Sequence, residues 1–389
     1  MIIQREIYPK IKPYLFSKEA VVITGMRRTG KTTLLQSIYD DVSTANKLFI
    51  DLENPLNQKF FEETDYEKIK FNLEVQGLAF GQKAFVFLDE IQFIKNLPQI
   101  VKYLSDHYPV KFFLTGSSSF YLKNLFSESL SGRKYIFELF PFNFQEFILS
   151  KGEKINFPEE KKSISETIYN LLSRYYEEYL KFGGFPGVIA KKTFAEKKMA
   201  LSDIFSSYFQ LEVQQFSDYR KTTVLRDLIL LLMQRVGSKI DITKLAAELG
   251  VSRPTIYDYL GFLENTYFIK LIKPFSRSQD ATIRGAEKVY FCDTGLLNNM
   301  SKPSDGAILE NNIFQLLRPQ GEINYYQTKS GAEIDFILDK KIAYEAKTQP
   351  TTQDLKRLIK ISRQLKIKEC YIISQKFSIL PKIKYGFNL

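Results

Sequence analysis

The chain has 389 residues, 44% of them hydrophobic, and a formal charge of +11. That length exceeds one ordinary core and implies two or three domains. The longest apolar cluster, LILLLM at 228–233, falls far short of a membrane span, so an ordinary transmembrane helix is excluded.

Charges in the opening segment MIIQREIYPKIKPYL leave no apolar region of the kind a secretory signal needs. Cys292 and Cys370 show no metal-ligand spacing, and His107 is the only histidine. A reduced, cytoplasmic protein without a histidine triad or His-rich metal site is expected. The charge is uneven: residues 226–389 carry 25 Lys/Arg against 17 Asp/Glu, while residues 1–150 carry 18 against 17. A basic C-terminal part points to a polyanion such as DNA; a Lys-rich composition throughout is the plainer alternative.

In chain order, AVVITGMRRTGKTTLLQSIY at 20–39 reads as strand, tight loop and helix. Gly25, Gly30, Lys31 and Thr32 fit Gly-x-x-x-x-Gly-Lys-Thr, a loop whose backbone N–H groups curl around phosphate oxygens. Lys31 is expected to reach the β- and γ-phosphates of ATP, and Thr32 to hold Mg²⁺. Arg28 and Thr33 are counted with them as nucleotide contacts, although sequence does not separate the roles of Arg27 and Arg28. KLFIDLENP supplies a second strand. In KAFVFLDEIQ, the apolar run Phe85–Leu88 is a third, and it sets Asp89 at the carboxyl edge where open α/β sheets bind ligands. Asp89 is expected to hold Mg²⁺ through water, and Glu90 to orient and deprotonate the attacking water. KFFLTGSSS is a fourth strand, with Thr115, Ser117 and Ser118 placed to sense the γ-phosphate. YIFELF completes five.

Together GMRRTGKTT, FLDEIQ, LTGSSS and LSGRKYIFELFPFNFQEF resemble the AAA+ ATPases of the archaeal-type, signalling-ATPase-related group. The resemblance covers nearly the whole chain. It implies an α/β AAA+ P-loop core at 1–150 with a parallel sheet in the order 5-1-4-3-2. A helical lid at 151–225, a winged helix-turn-helix at 226–287 and a restriction-endonuclease-like α/β domain at 288–389 would follow. It implies an arginine finger at Arg133, reaching the ATP of a neighbouring subunit in a homo-oligomer. A guanidinium there stabilises charge on the transferring phosphoryl; an ordinary salt bridge is the alternative. It further implies that Gly184 and Pro186, in the turn FGGFPGV, pack on adenine, the alternative being a plain helix–helix turn.

The stretch DITKLAAELGVSRPTIYDYLGFLENTYFIKLIKPF has helix-turn-helix rhythm. Leu245, Ala246 and Leu249 form an apolar face, Gly250 makes the turn, and Ser252 caps the next helix. Arg253 and Thr255 open that helix but Asp258 follows, a weak reading surface for DNA. A structural or partner-binding role stands beside DNA contact.

In IDFILDKKIAYEAK, a hairpin centred on Lys340 sets Asp335 opposite Glu345, with Lys347 on the face of Glu345. Opposed carboxylates need a cation between them, and Mg²⁺ or Mn²⁺ would serve. Lys347 would then steady the attacking water. Glu310, in the amphipathic helix DGAILENNIFQLLR, adds a further acid, and Glu333 is an alternative ligand. Glu310, Asp335, Glu345 and Lys347 resemble the PD-(D/E)xK nuclease motif, which implies a Mg²⁺-dependent, DNA-directed nuclease module under ATP control. Lys356, Arg357, Lys360 and Arg363 then form a phosphate-contacting or merely solvated helix face. The rival class is a nucleotide switch or scaffold whose nuclease-like domain only binds a partner.

Overall fold

The computed structural model describes residues 3–116, 132–155, 157, 164–213, 219–276, 285–328 and 331–389. The chain divides into two compact units, 1–140 with 265–267, and 141–264 with 268–389. No helix among the described residues is long and apolar enough to cross a membrane.

In the first unit β1 (Ala20–Thr24), β2 (Lys47–Asp51), β3 (Ala84–Asp89), β4 (Val110–Gly116) and β5 (Lys134–Glu138) form one parallel sheet. Its order, β2-β3-β4-β1-β5, is the expected 5-1-4-3-2. β1, β3 and β4 are buried at every position, as a parallel sheet with helices on both faces requires. Strand alternation sorts their side chains into two clusters. Val22, Val86 and Leu88 join Ile100 and Leu104 of the helix Leu97–His107. Val21, Ile23, Phe85 and Phe87 join Leu34, Leu35 and Ile38 of the helix Lys31–Asp41. Each such buried side chain contributes about 1.5–3 kcal/mol relative to exposure.

The second unit begins with the helices Phe144–Ser150, Glu166–Phe182, Phe194–Tyr208 and Tyr219–Met233. The helix Ile242–Leu249, a turn at Gly250 (φ 64°) and the helix Arg253–Asn265 follow, and Ser252 Oγ accepts from Thr255 N at 3.3 Å as expected. An antiparallel ribbon of β6 (Ile269–Ile272) and β7 (Lys288–Phe291) comes next. Two of the expected boundaries fall between elements that pair or pack together. A cut at 287/288 would separate β7 from β6, although Ile269 pairs with Phe291 and Ile272 with Lys288. A cut at 150 would detach the helix Phe144–Ser150 from the unit in which Phe147 packs on Tyr179.

The C-terminal sheet has the order β12-β11-β10-β9-β8, with β8 (Ile323–Gln327), β9 (Glu333–Leu338), β10 (Ile342–Lys347), β11 (Glu369–Ser374) and β12 (Ile383–Lys384). β8, β9 and β10 run antiparallel, and β10 pairs with β11 in parallel. The helix Asp305–Leu317 precedes the sheet. The helix Thr352–Gln364 joins β10 to β11, packing Leu355, Leu358 and Ile361 with Ile337, Ala343 and Ile372. Asp339 and Lys340 turn the β9–β10 hairpin with φ of 49° and 60°, and Lys341 N donates to Leu338 O at 2.9 Å. Two left-handed residues match the twist of paired strands.

The FGGFPGV turn is tied into this second unit through Asp293, a buried carboxylate that accepts from Gly184 N at 2.7 Å. Asp293 also caps the helix Thr294–Ser301, accepting from Leu296 N at 3.0 Å. Burial pushes its carboxyl up to about 6. A Cβ on Gly184 would stand 2.1 Å from Phe142 O, with no flexible side chain to give way. Gly184→Ala should cost about 1–3 kcal/mol through backbone displacement. Thermal or urea unfolding checks this, and an unchanged midpoint would show that the turn yields freely.

Candidate functional site

β1 delivers the phosphate loop to the carboxyl edge of the first sheet. Gly25 has a φ of +149° and no room for a side chain, since a Cβ would meet Leu139 O at 2.2 Å. Arg28 (φ 65°) and Gly30 (φ 94°) are left-handed, a backbone that turns successive N–H groups toward one side. Gly30 is the N-cap of the helix Lys31–Asp41, and no side chain caps that end. The helix therefore presents an anion-seeking terminus. Lys31 is buried, with Nζ donating to Gly25 O and Met26 O at 3.1 Å each. Thr32, Thr33 and Arg28 are exposed beside it. Arg5, absent from the sequence expectations, donates to Thr29 O at 2.7 Å and Phe140 O at 2.6 Å. A lone arginine ahead of β1 carries no pattern that would have marked it.

Asp89 ends β3 opposite Asp51 of β2 and is 3% exposed. Thr115 Oγ1 donates to its carboxylate, and Thr32 is hydrogen-bonded to it as well. Burial raises the Asp89 pKa; Thr115 and Thr32 oppose the rise, and the charges of Glu90 and Asp51 add to it. A hydroxyl and a carboxylate side by side at a phosphate loop are hard oxygen donors that fit Mg²⁺. Thr115 differs from expectation. Its hydroxyl is committed to Asp89 and accepts from Glu90 N at 3.2 Å, so it organises the acids. Glu90 is held at φ 54°, a left-handed conformation costing a non-glycine residue about 1–2 kcal/mol, and accepts from Gln92 Nε2 at 2.5 Å. Ser117 and Ser118 lie outside the described residues.

Arg133 stands at the other edge of the sheet. Its carbonyl accepts from Ala20 N at the start of β1, whereas the phosphate loop follows Thr24 at the end. Strand rise puts about 13 Å between those edges, so Arg133 is no part of its own chain's loop. Its Nη1 lies 2.5 and 2.6 Å from the two Asp106 oxygens, and that hydrogen bond holds the Asp106 carboxyl below its ordinary range. Pro186 opens the short helix Pro186–Ile189 of the second unit. Gly184 beside it gives its N–H to Asp293 and accepts at its carbonyl from Phe142 N at 2.7 Å.

At the C-terminal acids the hairpin register is the predicted one. Tyr344 pairs with Phe336, so Glu345 and Asp335 come next, and Asp335 Oδ2 accepts from Ala346 N at 2.7 Å. Lys347 Nζ lies 3.0 Å from Glu345 Oε1. The three-carboxylate metal set expected of Glu310, Asp335 and Glu345 does not assemble. Among the described residues no three His, Cys, Asp or Glu side chains are grouped to hold a metal ion. The physical reason is that chain-borne cations already hold these acids. Glu345 Oε1 takes Arg357 as well as Lys347, while its buried Oε2 has no hydrogen-bond partner. Glu310 accepts from Tyr290 Oη at 2.6 Å and lies 3.5 Å from Lys288 Nζ, which also pairs with Glu333. Burial alone would lower the Lys288 ammonium, but Glu310, Asp335 and Glu333 together raise it. At an effective dielectric of about 20, a divalent ion about 4 Å from an ammonium meets about 8 kcal/mol of repulsion. Arg357 stays exposed on the basic face of its helix with Lys356, Lys360 and Arg363, but its guanidinium is paired with Glu345.

Residues 17–148 match the family model of an AAA domain. Residues 173–306 and 305–387 match two domains of unknown function, DUF8612 and DUF4143. The uncharacterized protein MJ1544 of Methanocaldococcus jannaschii is 29% identical over 384 residues, 94% of this chain and 83% of that protein. An uncharacterized protein of Haemophilus influenzae is 28% identical over 333 residues, 82% and 79% of the two chains. Among solved structures, Aeropyrum pernix ORC1 in complex with DNA aligns at a TM-score of 0.36 and 12% identity, over 77% of this chain and 93% of that one. AMPPCP-bound DnaA from Aquifex aeolicus aligns at 0.31 and 20% identity, over 68% and 89%. At such scores the likeness extends to no partner or activity. The phosphate loop, the sheet order and the family match together make the first unit similar to an AAA domain. The rest of the chain is similar to domains whose function is unknown.

Asp335 gives a test of the C-terminal geometry. Burial, then the Glu310 charge, pushes its carboxyl up to about 8. A folded value above the ordinary 3.8 means a contribution that is full below that value and lost as pH rises through about 8. Wild type should therefore lose melting temperature relative to Asp335→Asn between about pH 5 and about pH 9. Parallel curves for the two proteins would remove this titration.

Proposed function

We propose that this protein is an ATP-hydrolysing switch of the AAA+ class whose nucleotide state governs what its C-terminal part binds. The observation that carries this is the hydrogen-bonded edge of Thr32, Asp89, Thr115 and Glu90 beside the Lys31 loop. Lys31 would turn from the loop carbonyls to the β- and γ-phosphate oxygens. Thr32 and Asp89 would hold Mg²⁺, which when bound neutralises charge building on the phosphates. Glu90, fixed by its strained backbone, would take the proton of the attacking water. Arg133 would serve as a finger only from another subunit, which makes a homo-oligomer part of the proposal.

The helix-turn-helix and its ribbon have the element order of a winged helix. The run of helix, three strands, helix and strand from Asp305 to Ser374 has the order of the nuclease-like fold. We assign both to binding rather than cutting, because Glu310 and Glu345 are already paired with Lys288, Tyr290, Lys347 and Arg357. DNA is the proposed partner, on the basic balance of residues 226–389 and the exposed Lys356, Lys360 and Arg363. One observation keeps a second reading open, a Mg²⁺- or Mn²⁺-dependent nuclease: the buried Glu345 Oε2 without a partner.

Lys31→Ala should abolish ATP binding, while Glu90→Gln should bind normally and lose turnover by about 100-fold or more. Separate measurements of affinity and hydrolysis distinguish the two, and normal turnover in Glu90→Gln would sink its assignment. If Arg133 acts between subunits, specific activity should rise with protein concentration and Arg133→Ala should abolish that rise. A concentration-independent rate with Arg133→Ala fully active removes the finger.

A further inference from the structure

The acidic cluster of the C-terminal sheet has a cation of its own. Lys288 begins β7, in the ribbon, ahead of the segment 305–387 that matches a separate family. Its side chain is 5% exposed, and its ammonium contacts Glu310 Oε1 at 3.5 Å and Glu333. Tyr290, two residues on and so on the same strand face, gives its hydroxyl to the same Glu310 oxygen at 2.6 Å. Gly237 closes the third side: its N–H donates to Val289 O at 3.0 Å, and a Cβ there would stand 2.8 Å from Glu310 Oε1. Glu310 thus projects from its helix into a receptor made of Gly237, Lys288 and Tyr290. An ammonium, a phenol and a close backbone form a carboxylate receptor for Glu310, and the same ammonium is shared with Glu333.

We propose that Lys288 is the resident cation of this cluster, pairing from the ribbon with Glu310 and Glu333 beside Asp335, so that the chain's own ammonium rather than a divalent metal holds them. Glu310 is then the plug that docks the C-terminal sheet on the ribbon. The charge that holds Glu310 and Glu333 comes from the chain itself, and the cluster persists without Mg²⁺ or Mn²⁺. Two bound cations at this spacing would repel each other, so the ammonium and a metal exclude one another. The proposal concerns the second unit alone and does not depend on ATP hydrolysis.

The test uses the full chain without nucleotide in a Lys31→Ala background, which takes the phosphate-loop ion out of the measurement. MnCl₂ is titrated while the melting temperature is followed. The Lys31→Ala protein should show no Mn²⁺-dependent rise. Adding Lys288→Met should create a rise of several degrees by linkage, and adding Asp335→Asn should abolish it again. A rise already present with Lys288 intact, and lost on Glu310→Gln or Asp335→Asn, would overturn the proposal. So would a folded Lys288→Met protein that ignores Mn²⁺. Should Lys288→Met fail to fold, Mn²⁺ binding to the Lys288-containing protein, read by electron paramagnetic resonance, decides. No bound ion at that cluster supports the resident ammonium, and a bound ion lost with Asp335→Asn refutes it.

Discussion

Parallel strand pairing is the constraint on which the first unit depends. In a parallel sheet every strand ends on the same edge, so residues far apart in sequence arrive together without further design. Thr24 pairs with Gly116 and Glu138, and Asp51 with Asp89, so the phosphate loop, the two acids and Thr115 share one rim. The same rule sends Arg133 to the opposite rim, since it precedes its strand. A residue's position before or after its strand thus decides whether it can serve its own nucleotide.

The second unit solves a different problem, the burial of charge. Asp293, Glu310, Asp335, Glu345 and Lys288 are all largely withdrawn from water. An unpaired buried charge is costly enough that each must find a partner or change its protonation. Asp293 uses backbone N–H donors of a glycine turn and a helix N-terminus. Glu345 uses Lys347 and Arg357, and Glu310 uses Lys288 and Tyr290. Asp335 has one backbone donor and acid neighbours, and it answers by holding its proton more tightly. The Lys288 and Tyr290 contacts to Glu310 join the helix ahead of the sheet to the ribbon.

What was legible in the sequence follows from the range of each signal. The phosphate loop and the strand ends are local patterns, and the hairpin register is arithmetic about a turn, so the loop and the Asp335–Glu345 pairing could be read, whereas the sheet order came only with the family resemblance. Lys288 could not, because its partners Glu310 and Glu333 come well after it in sequence and meet it only once β7 pairs with β6. Arg357 reads as one of four solvated cations on a helix, and only the fold shows Glu345 within its reach. Glu310 was legible as an acid on a helix, but its partner was not, which is how a docking contact came to look like a metal ligand.

Arg5 shows how the loop and the chain leaving the sheet are held as one piece. One planar guanidinium donates to Thr29 O inside the phosphate loop and to Phe140 O at the last residue of the first unit. Gly25 lies against Leu139 with no space for a side chain, and Leu139 N donates to Thr24 O at 2.7 Å. The loop is therefore fastened at both ends to residues 139 and 140. Arginine suits this task because its donors are fixed in one plane, so the two carbonyls cannot move independently without losing a hydrogen bond. A buried carbonyl left unpaired costs about 1–3 kcal/mol, enough to change a populated conformation. A backbone shift at Thr29 on phosphate binding must then be followed at Phe140 or be opposed by that cost. Thr29 in the loop and Phe140 at the end of the first unit are thereby held to one guanidinium.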